Sequence, residues 1–295
     1  MLNKLAITAM AALLTGSPAL AGPDWTKVDQ AIGRPGTQQT GDVHRYGFPR
    51  SDLTVTLDGV AIKPALALGS WAAFQPMGDD VMVMGDLVLT DDEVNPVMSR
   101  LLAGRFTITA LHNHLLRSSP TTMYMHISGH GDAVTLARSL HDALAASRTP
   151  LAPPAATSQQ PPAPLDMDTA AIDRLMGAKG KANGGVYQFA FPRAEKLMAD
   201  GMPAPASMGT ATAINFQPTG AGKAAITGDF VMTASEVDSV LRALRSGGIE
   251  VTALHNHMLG DEPRLFFMHF WANENAEKLA RGLRTALDSM NLQKP

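Results

Sequence analysis

The chain shows two kinds of hydrophobic spacing, one typical of strands and one typical of helices. Between positions 71 and 89, apolar residues alternate with polar ones or run together with β-branched residues, and Gly and Pro bound each run. This pattern predicts two strands, Trp71 to Pro76 and Val81 to Leu89. Apolar residues then recur at the spacing of one helix face, which predicts a helix with one buried side. They are Val94, Val97, Met98 and Leu101.

Start and stop signals flank this predicted helix. Thr90-Asp91-Asp92-Glu93 fits a capping box, in which the Thr and Glu side chains bond to backbone N–H groups of the first turn, and Thr233-Ala234-Ser235-Glu236 repeats it. Gly104 is a natural stop at the other end. We therefore interpret Glu93 and Glu236 as capping residues, and a metal-binding or acid–base role is the alternative.

Two more strands and a closing helix complete the predicted unit. A strand with a His-x-His motif is followed by a loop containing proline, a second strand and an amphipathic helix. The second strands are predicted at Met123 to Ile127 and Leu265 to Trp271, and the closing helices at Asp132 to Ala146 and Asn275 to Met290. The order β, β, α, β, β, α occurs twice. We predict an α+β fold of two tandem homologous repeats, each a mostly antiparallel sheet with helices, related by pseudo-two-fold symmetry.

Comparison of the chain with itself supports a duplication. Phe48-Pro49-Arg50 matches Phe191-Pro192-Arg193, and Gly85-Asp86 matches Gly228-Asp229, both at an offset of 143 residues. A tract rich in Pro, Ala, Ser and Gln between the halves has the composition of an extended spacer. The predicted organisation is an N-terminal segment (1–21), a first repeat (22–148), a linker (149–166) and a second repeat (167–295).

Residues 1–21 have the pattern of an export signal. Lys4 supplies a positive charge, Leu5 to Leu14 is a short apolar stretch, and an Ala-x-Ala site ends at Ala21. Such a stretch is too short to span a hydrocarbon core of about 30 Å as a helix. We therefore expect a periplasmic or secreted protein, cleaved near Ala21, with no transmembrane segment. The chain has no cysteine, which excludes disulfides and thiolate metal ligands.

Composition indicates a globular protein that does not bind nucleic acid. Hydrophobic residues make up 45% of the chain and charged residues 17%, as in ordinary folded domains. The formal net charge is −3, so the composition does not indicate the basic surface that nucleic acids require. The expected partner is a small-molecule ligand or a metal ion.

Six of the nine histidines form two equivalent sets. A Thr-Ala-Leu-His-Asn-His segment begins at Thr109 and again at Thr252, and another histidine follows each copy twelve residues later. On a strand, residues i and i+2 share a face, and an antiparallel neighbour at about 5 Å would bring the third imidazole beside them. Three converging imidazoles that leave one side of the ion open are typical of catalytic zinc. The predicted triads are His112, His114 and His126, and His255, His257 and His269.

Other interpretations of these polar residues stay open. Histidines also lie on solvated faces or in buried hydrogen-bond networks. Asp86 and Asp229 lie at or near strand interiors, where an unpaired carboxylate is costly. We predict catalytic roles for both, as a base, as a fourth ligand or in orienting a ligand, with a turn as the alternative. The arginine of each Phe-Pro-Arg segment is suited to a carboxylate substrate or to a structural acid. His44 and His130 have no histidine at the equivalent position and stay outside the triads.

Zinc is the ion that we predict for the triads, and copper and iron are the alternatives. The chain contains 17 methionines, and thioether sulfur favours Cu(I). Met125 and Met268 directly precede a histidine, so on a strand their side chains face the other way. Methionine is also a common core residue. We therefore place copper below zinc.

Three segments carry a resemblance to a known family. Gly85-Asp86-Leu87-Val88-Leu89, Ala110-Leu111-His112-Asn113-His114 and Met123-Tyr124-Met125-His126 resemble the LppY/LpqO family, exported bacterial proteins that share a domain of unknown function. The resemblance covers nearly all of the chain after the export signal and implies an exported protein without an assigned reaction. This chain departs from the lipoprotein members of the family because it lacks the anchoring cysteine.

The arrangement of histidines is also similar to the zinc site of the acetolactate-decarboxylase-like fold group, which includes decarboxylases and ester hydrolases. Tyr124-Met125 and Phe267-Met268 stand where that group has glycines. This second similarity implies a type of chemistry only, since a shared fold does not establish a function.

Two classes of function fit the sequence. One is a zinc-dependent hydrolase or lyase that acts on a small carboxylated or ester substrate. Bound Zn²⁺ polarises a carbonyl or lowers the pKa of its water toward about 7, with Asp86 or Asp229 orienting a ligand or moving a proton. The alternative is a non-catalytic periplasmic protein that binds a metal or a small ligand. A third interpretation is a structural unit whose histidines lie in buried hydrogen-bond networks.

Overall fold

A computed structural model describes residues 22–153 and 164–294 of the chain. The predicted export signal and the central part of the predicted linker lie outside the described residues. Within the two described ranges, no helix is both long enough and apolar enough to cross a bilayer.

The first repeat contains four helices and eight strands within its described range. In chain order they are α1 (Trp25–Ile32), β1 (Thr37–Gln38), β2 (His44–Pro49), β3 (Thr56–Leu57), β4 (Val60–Ala61), α2 (Pro64–Ala67), β5 (Gly69–Met77), β6 (Asp80–Thr90), α3 (Asp91–Ala103), β7 (Thr107–His112), β8 (Thr122–Gly131) and α4 (Ala133–Leu144).

The second repeat follows nearly the same order. Its elements are α5 (Thr169–Met176), β9 (Lys181–Asn183), β10 (Val186–Phe191), β11 (Met198–Ala199), β12 (Met202–Pro203), a 3₁₀ turn (Ala206–Met208), β13 (Thr212–Gly220), β14 (Lys223–Thr233), α6 (Val237–Ser246), β15 (Glu250–His255), β16 (Asp261–Glu262), β17 (Leu265–Asn275) and α7 (Ala276–Leu287).

Each repeat forms one six-stranded antiparallel sheet. The first sheet has the strand order β1-β2-β5-β6-β8-β7. The second has the corresponding order β9-β10-β13-β14-β17-β15. The predicted α+β class, the antiparallel sheets and the division into two similar halves are confirmed.

The repeats contain elements that the hydrophobic spacing did not predict. β2 and β10 are six residues each and widen both sheets. α1 and α5 span eight residues each, and an aspartate side chain, Asp24 or Asp168, caps the first turn of each. Both helices end at a glycine with positive φ, 86° at Gly33 and 69° at Gly177, a conformation that favours glycine. These elements are too short to give a clear periodic signal.

The predicted capping boxes behave differently in the two repeats. At α3, both hydrogen bonds of the box are present between Thr90 and Glu93. At the equivalent place in the second repeat, Glu236 Oε2 accepts a hydrogen bond from Thr233 N at 2.8 Å. There the α-helix begins only at Val237, after one turn, so the predicted start of this helix was too early.

Helices cover one face of each sheet, and the other two faces meet in the middle of the molecule. The first helical layer packs on residues such as Phe74 and Ile127, and the second packs on residues such as Phe216 and Phe270. Two further hydrophobic clusters contain residues from both repeats. The order of layers is therefore helix, sheet, sheet, helix.

Two crossing segments join the repeats in a reciprocal way. Residues 51–68, the first arm, place Leu57 and Leu66 in a cluster with Trp271 of the second sheet. Residues 194–211, the second arm, place Leu197 and Met208 in a cluster with Met82 of the first sheet. Each repeat thus covers part of the partner's sheet, which agrees with the predicted pseudo-two-fold relation.

The arginines of the two Phe-Pro-Arg segments are fully buried structural residues. Arg50 Nη1 donates to Glu93 Oε2 at 2.7 Å and to the carbonyl of Val88 at 2.7 Å. Arg193 makes the same two contacts with Glu236 and Val231. Of the two alternatives for these arginines, the structure therefore shows pairing with a structural acid, and the same glutamates also stabilise the turns at the start of α3 and α6.

We expect Arg50→Met to destabilise the protein by about 3–5 kcal/mol, because it removes the buried cation of Glu93 and leaves this carboxylate only the exposed Arg148, at 3.5 Å. Urea denaturation followed by circular dichroism measures this change. Arg242→Met is the control, since Arg242 and Asp238 form an ion pair in which both side chains are 75% exposed, and such pairs contribute about 1 kcal/mol or less. Equal losses in the two variants would contradict the role of the buried pair.

Candidate metal centre

The predicted site residues lie on the sheet faces that meet in the middle of the molecule. Asp86 on β6 is paired across the sheet with Trp71 on β5 and with His126 on β8. Asp229 and His269 form the equivalent pair between β14 and β17. Because paired residues of neighbouring strands share a face, each aspartate and the third histidine of its triad point into the space between the sheets.

A bulge turns the first histidine of each motif toward this space. Ile108 is paired with Ile127, which packs under the helices, but the next pair on the same strands is Ala110 with His126. One extra residue in β7 therefore shifts the alternation of side chains, so that every residue after the bulge points to the opposite face from the one that a regular strand would give it. The rest of β7, including His112, follows the new alternation, and β15 has the same irregularity at the equivalent place.

The second histidine of each motif lies beyond the strand. β7 and β15 end at the first histidine, so the prediction that strand alternation positions His114 and His257 was wrong. Asn113 Oδ1 accepts a hydrogen bond from Leu115 N at 2.8 Å, and such a local turn competes with the strand hydrogen bonds. The bend that follows β7 still places the His114 ring 4.9 Å from that of His112.

The two predicted triads form a single cluster. The first histidine of each triad has its ring centroid 4.9 to 5.1 Å from those of the other two members. Rings of different repeats are closer still, with centroids 3.5 to 3.6 Å apart and the rings stacked. These pairs are His112 with His255, His114 with His269, and His126 with His257. We call these six residues the six-histidine cluster.

Ring nitrogens of this cluster converge in two overlapping groups. His112, His114 and His126 each offer a nitrogen within 4.8 Å of the others. The second triad does the same, and His112 of the first repeat belongs to that group as well. The histidines are therefore placed so that they could hold a metal, and the two repeats contribute jointly.

The two aspartates stand beside the imidazoles in strand interiors. The carboxyl oxygens of Asp86 lie 4.0 Å from His114 Nε2 and 3.9 Å from His126 Nε2. Asp229 lies 3.4 Å from His257 Nε2. Neither residue is in a turn, so the turn alternative for Asp86 and Asp229 does not apply.

Burial shifts the pKa values of this cluster strongly. Removal from water, together with the neighbouring imidazoles, lowers the pKa of His112 to about 2. Burial lowers the pKa of His255 to about 4 and moves the pKa values of the other four imidazoles well below the usual range. Burial also raises the pKa of Asp86 to about 8, and it raises that of Asp229 together with the charge of Asp86. The free site is therefore built of neutral groups.

Many polar atoms of the cluster have no hydrogen-bond partner among the described residues. The Nε2 atom of every one of the six histidines is buried and unpaired, as is one carboxyl oxygen of each aspartate. The orientation of His269 is set by its other nitrogen, since Nδ1 lies 2.8 Å from the carbonyl oxygen of Gly228. A ring that donates through Nδ1 presents the lone pair of Nε2, as metal-binding histidines do.

A cavity of about 740 Å³ opens next to the cluster. Both aspartates and four of the six histidines line it, and residues of both arms form other parts of its wall. Such a volume is within the usual range for small-molecule sites. These four imidazoles and both carboxyls are therefore accessible to a small ligand from the cavity.

Other histidines and methionines named in the sequence lie elsewhere. His44 is stacked on Trp25 with ring centroids 4.4 Å apart, and His130 is exposed at the end of β8. Met125 and Met268 belong to the cores under the helices, so they face away from the histidines as expected.

Two cavity residues were missed in the sequence. Arg45 and Trp71 line the cavity beside Asp86, but neither belongs to a repeated motif, because Gln188 and Ala213 occupy the equivalent positions. The sequence signal that could have identified them is that these two positions differ between the repeats.

Comparison with known families explains the duplication. The model of the family described as Domain of Unknown Function (DUF1259) matches the chain twice, at residues 26–146 and 170–289. The chain belongs to this family. The two matches correspond to the two repeats, and the family description assigns no activity. No curated protein matches the chain.

Two solved structures show weak similarity. One is the trimeric bacterial microcompartment shell protein PduB, at 12% identity over 86% of this chain and 89% of that chain, with a TM-score of 0.22. The other is EtuB from Clostridium kluyveri, at 7% identity over 85% of this chain and 90% of that chain, with a TM-score of 0.20. TM-scores this low do not establish a shared fold.

We expect the imidazoles of His112 and His255 to stay neutral in metal-free protein from about pH 8 to about pH 5, since burial holds both pKa values below the usual value of about 6.5. The unfolded chain takes up these protons below about pH 6.5, so the histidines make the metal-free protein less stable as the pH falls. The two aspartates, whose pKa is raised, have the opposite effect on the stability, but the six histidines outnumber them. NMR of the ring protons measures the titration, and a midpoint near the usual value for either residue would contradict the burial of the cluster.

Proposed function

We propose that the two repeats together form one transition-metal centre and that its ion is zinc. The observation that supports this is the set of unpaired Nε2 atoms of six clustered imidazoles. Buried polar atoms are rarely left without partners, because each one costs free energy. A metal ion would satisfy several of these nitrogens at once.

The donor set suits a zinc-like ion. Neutral imidazole is the commonest nitrogen ligand for zinc, and carboxylates serve as ligands or orient them. The cluster has no thiolate, since the chain has no cysteine, and Met125 and Met268 face away. His112 belongs to both convergent groups, so the centre has donors for one or two ions. Copper and iron, which imidazole also binds, are the competing ions.

The centre suits a hydrolase or lyase that acts on a small carboxylated or ester substrate. A bound zinc ion would supply Lewis acidity toward a carbonyl or an activated water. Asp86 and Asp229 face the cavity, where either carboxyl would hold or move a proton beside the substrate. The cavity supplies room for the substrate beside these groups.

A non-catalytic metal-binding or ligand-binding protein is the second candidate. One observation favours it: six imidazoles and two carboxyls are more donors than an open three-histidine site needs. If they filled every coordination position, the centre would sequester the ion without turnover.

Export is part of the same proposal. The pattern of residues 1–21 and the resemblance to the LppY/LpqO family support a periplasmic or secreted location. Zinc in this compartment would be bound by a protein without thiols, which is compatible with oxidising conditions.

Metal analysis tests the centre. Mature protein stripped with a chelator and reconstituted with zinc should retain one or two equivalents after desalting, and His112→Ala combined with His114→Ala should reduce this content. His130→Ala is the matched control, because His130 is exposed and outside the cluster. Full retention in the double variant, or no zinc in the wild type, would contradict the proposal.

Cobalt substitution separates the two candidates. The visible spectrum of the Co²⁺ protein should change when acetate is added if a coordination position is open, as a catalytic centre requires. Asp86→Asn should keep the metal content and lose turnover of a small aryl ester. A spectrum that does not respond to acetate, with no turnover by the wild type, would favour sequestration.

A further inference from the structure

The wall of the cavity is not symmetric between the repeats. Arg45 on β2 lines it from the first repeat, and its guanidinium lies 3.8 Å from the ring centroid of Trp71. The equivalent positions of the second repeat hold Gln188 and Ala213, both of which also line the cavity. The first repeat therefore contributes a cation on an aromatic support to the cavity wall, and the second repeat contributes an amide and a methyl group at the equivalent positions.

The residue equivalent to Arg45 in the second repeat shows which contact the fold needs at this position. Gln188 Nε2 donates to the carbonyl of Ala65 in the first arm at 2.9 Å. Arg45 Nη1 donates to the carbonyl of Ser207 in the second arm, also at 2.9 Å. A neutral amide therefore suffices to hold an arm in place, and the positive charge of Arg45 is not needed for that contact.

The charge of Arg45 also has no direct ion-pair partner in the described part of the chain. Asp86 is the carboxylate whose charge acts on it, but the hydrogen bond of the guanidinium goes to the carbonyl of Ser207 and not to this carboxylate. Burial lowers the pKa of Arg45 to about 10, which still leaves the guanidinium charged. A half-buried cation facing a cavity without a counter-ion is costly, and a bound anion would remove that cost.

We propose that Arg45 and Trp71 form a carboxylate-binding subsite, and that the ligand is a small organic acid with a second polar group that reaches the histidines. The guanidinium pairs with a carboxylate through two parallel hydrogen bonds, and Trp71 holds its plane in place. The inference rests on the proposed function only in assigning the second polar group to the metal centre.

The geometry of the sheet favours a ligand that spans the two groups. Trp71 is paired directly with Asp86, whereas Arg45 is paired with Ala73, two residues farther along β5. The backbones of β2 and β6 are about 10 Å apart at the usual spacing of about 4.8 Å between strands. A molecule with polar groups at both ends of a short carbon chain fits this separation. Since only the first repeat has the cation, such a ligand binds in one orientation although the fold is nearly symmetric.

Isothermal titration calorimetry with the dicarboxylates succinate, glutarate and adipate tests the subsite on the mature protein, both stripped with a chelator and loaded with zinc. The corresponding diamides are the matched probes without charge. At least one dicarboxylate should bind saturably and its diamide much more weakly. Equal binding of the two, or no binding of any dicarboxylate, would overturn the proposal.

Arg45→Gln is the decisive variant, because glutamine makes the arm contact in the other repeat. It should weaken the dicarboxylate about tenfold or more, as expected for loss of a charge-assisted hydrogen bond, while Arg45→Lys should retain part of the affinity. Arg242→Gln is the control, because it removes an exposed arginine charge outside the cavity and should leave the affinity unchanged. An affinity that is the same in wild type and Arg45→Gln would show that the subsite does not exist.

The two forms of the protein separate this proposal from the metal centre. If zinc does not bind but the subsite exists, Arg45-dependent binding persists in the chelator-treated protein. If zinc binds but the subsite does not exist, dicarboxylate affinity depends on zinc and is unaffected by Arg45→Gln.

Discussion

Burial of polar side chains between two sheets is the constraint on which the rest of this structure depends. Six imidazoles and two carboxyls lie where the sheet faces meet, with hydrophobic clusters on either side. The cost of removing these groups from water is visible in their pKa values, which move toward the neutral form in every case. The hydrophobic contacts of the two arms stabilise a contact between sheets that the polar groups alone would oppose.

The duplication explains how one site can be built from two copies of a motif. A single repeat supplies three imidazoles and a carboxyl on one open sheet face, and the partner repeat covers that face with the same groups. The shared centre then leaves freedom for the copies to diverge around it. Arg45 and Gln188 make the same contact with an arm, yet only one of them adds a charge to the cavity.

Much of this arrangement could be predicted from local patterns, and the rest depends on long-range packing. Strand and helix spacing predicted β5, β6, α3 and the closing helices, and the spacing of His112, His114 and His126 predicted their convergence. That the two triads form one cluster could not be predicted, because this depends on how the two sheets pack. The bulge in β7 is one residue with no distinct composition, and the bend at Asn113 is set by a single side-chain hydrogen bond. The difference between Arg45 and Gln188 is visible in the sequence, but its meaning depends on the contact of each residue with an arm, which only the fold shows.

Anomalous diffraction at the zinc edge from crystals of the reconstituted protein tests the central claim most directly. A centre shared by both repeats predicts one or two peaks between the sheets, each at about 2.0–2.1 Å from imidazole nitrogens, with ligands from both halves of the chain. Peaks bound by the histidines of one repeat alone, or no peak within the six-histidine cluster, would contradict a joint metal centre.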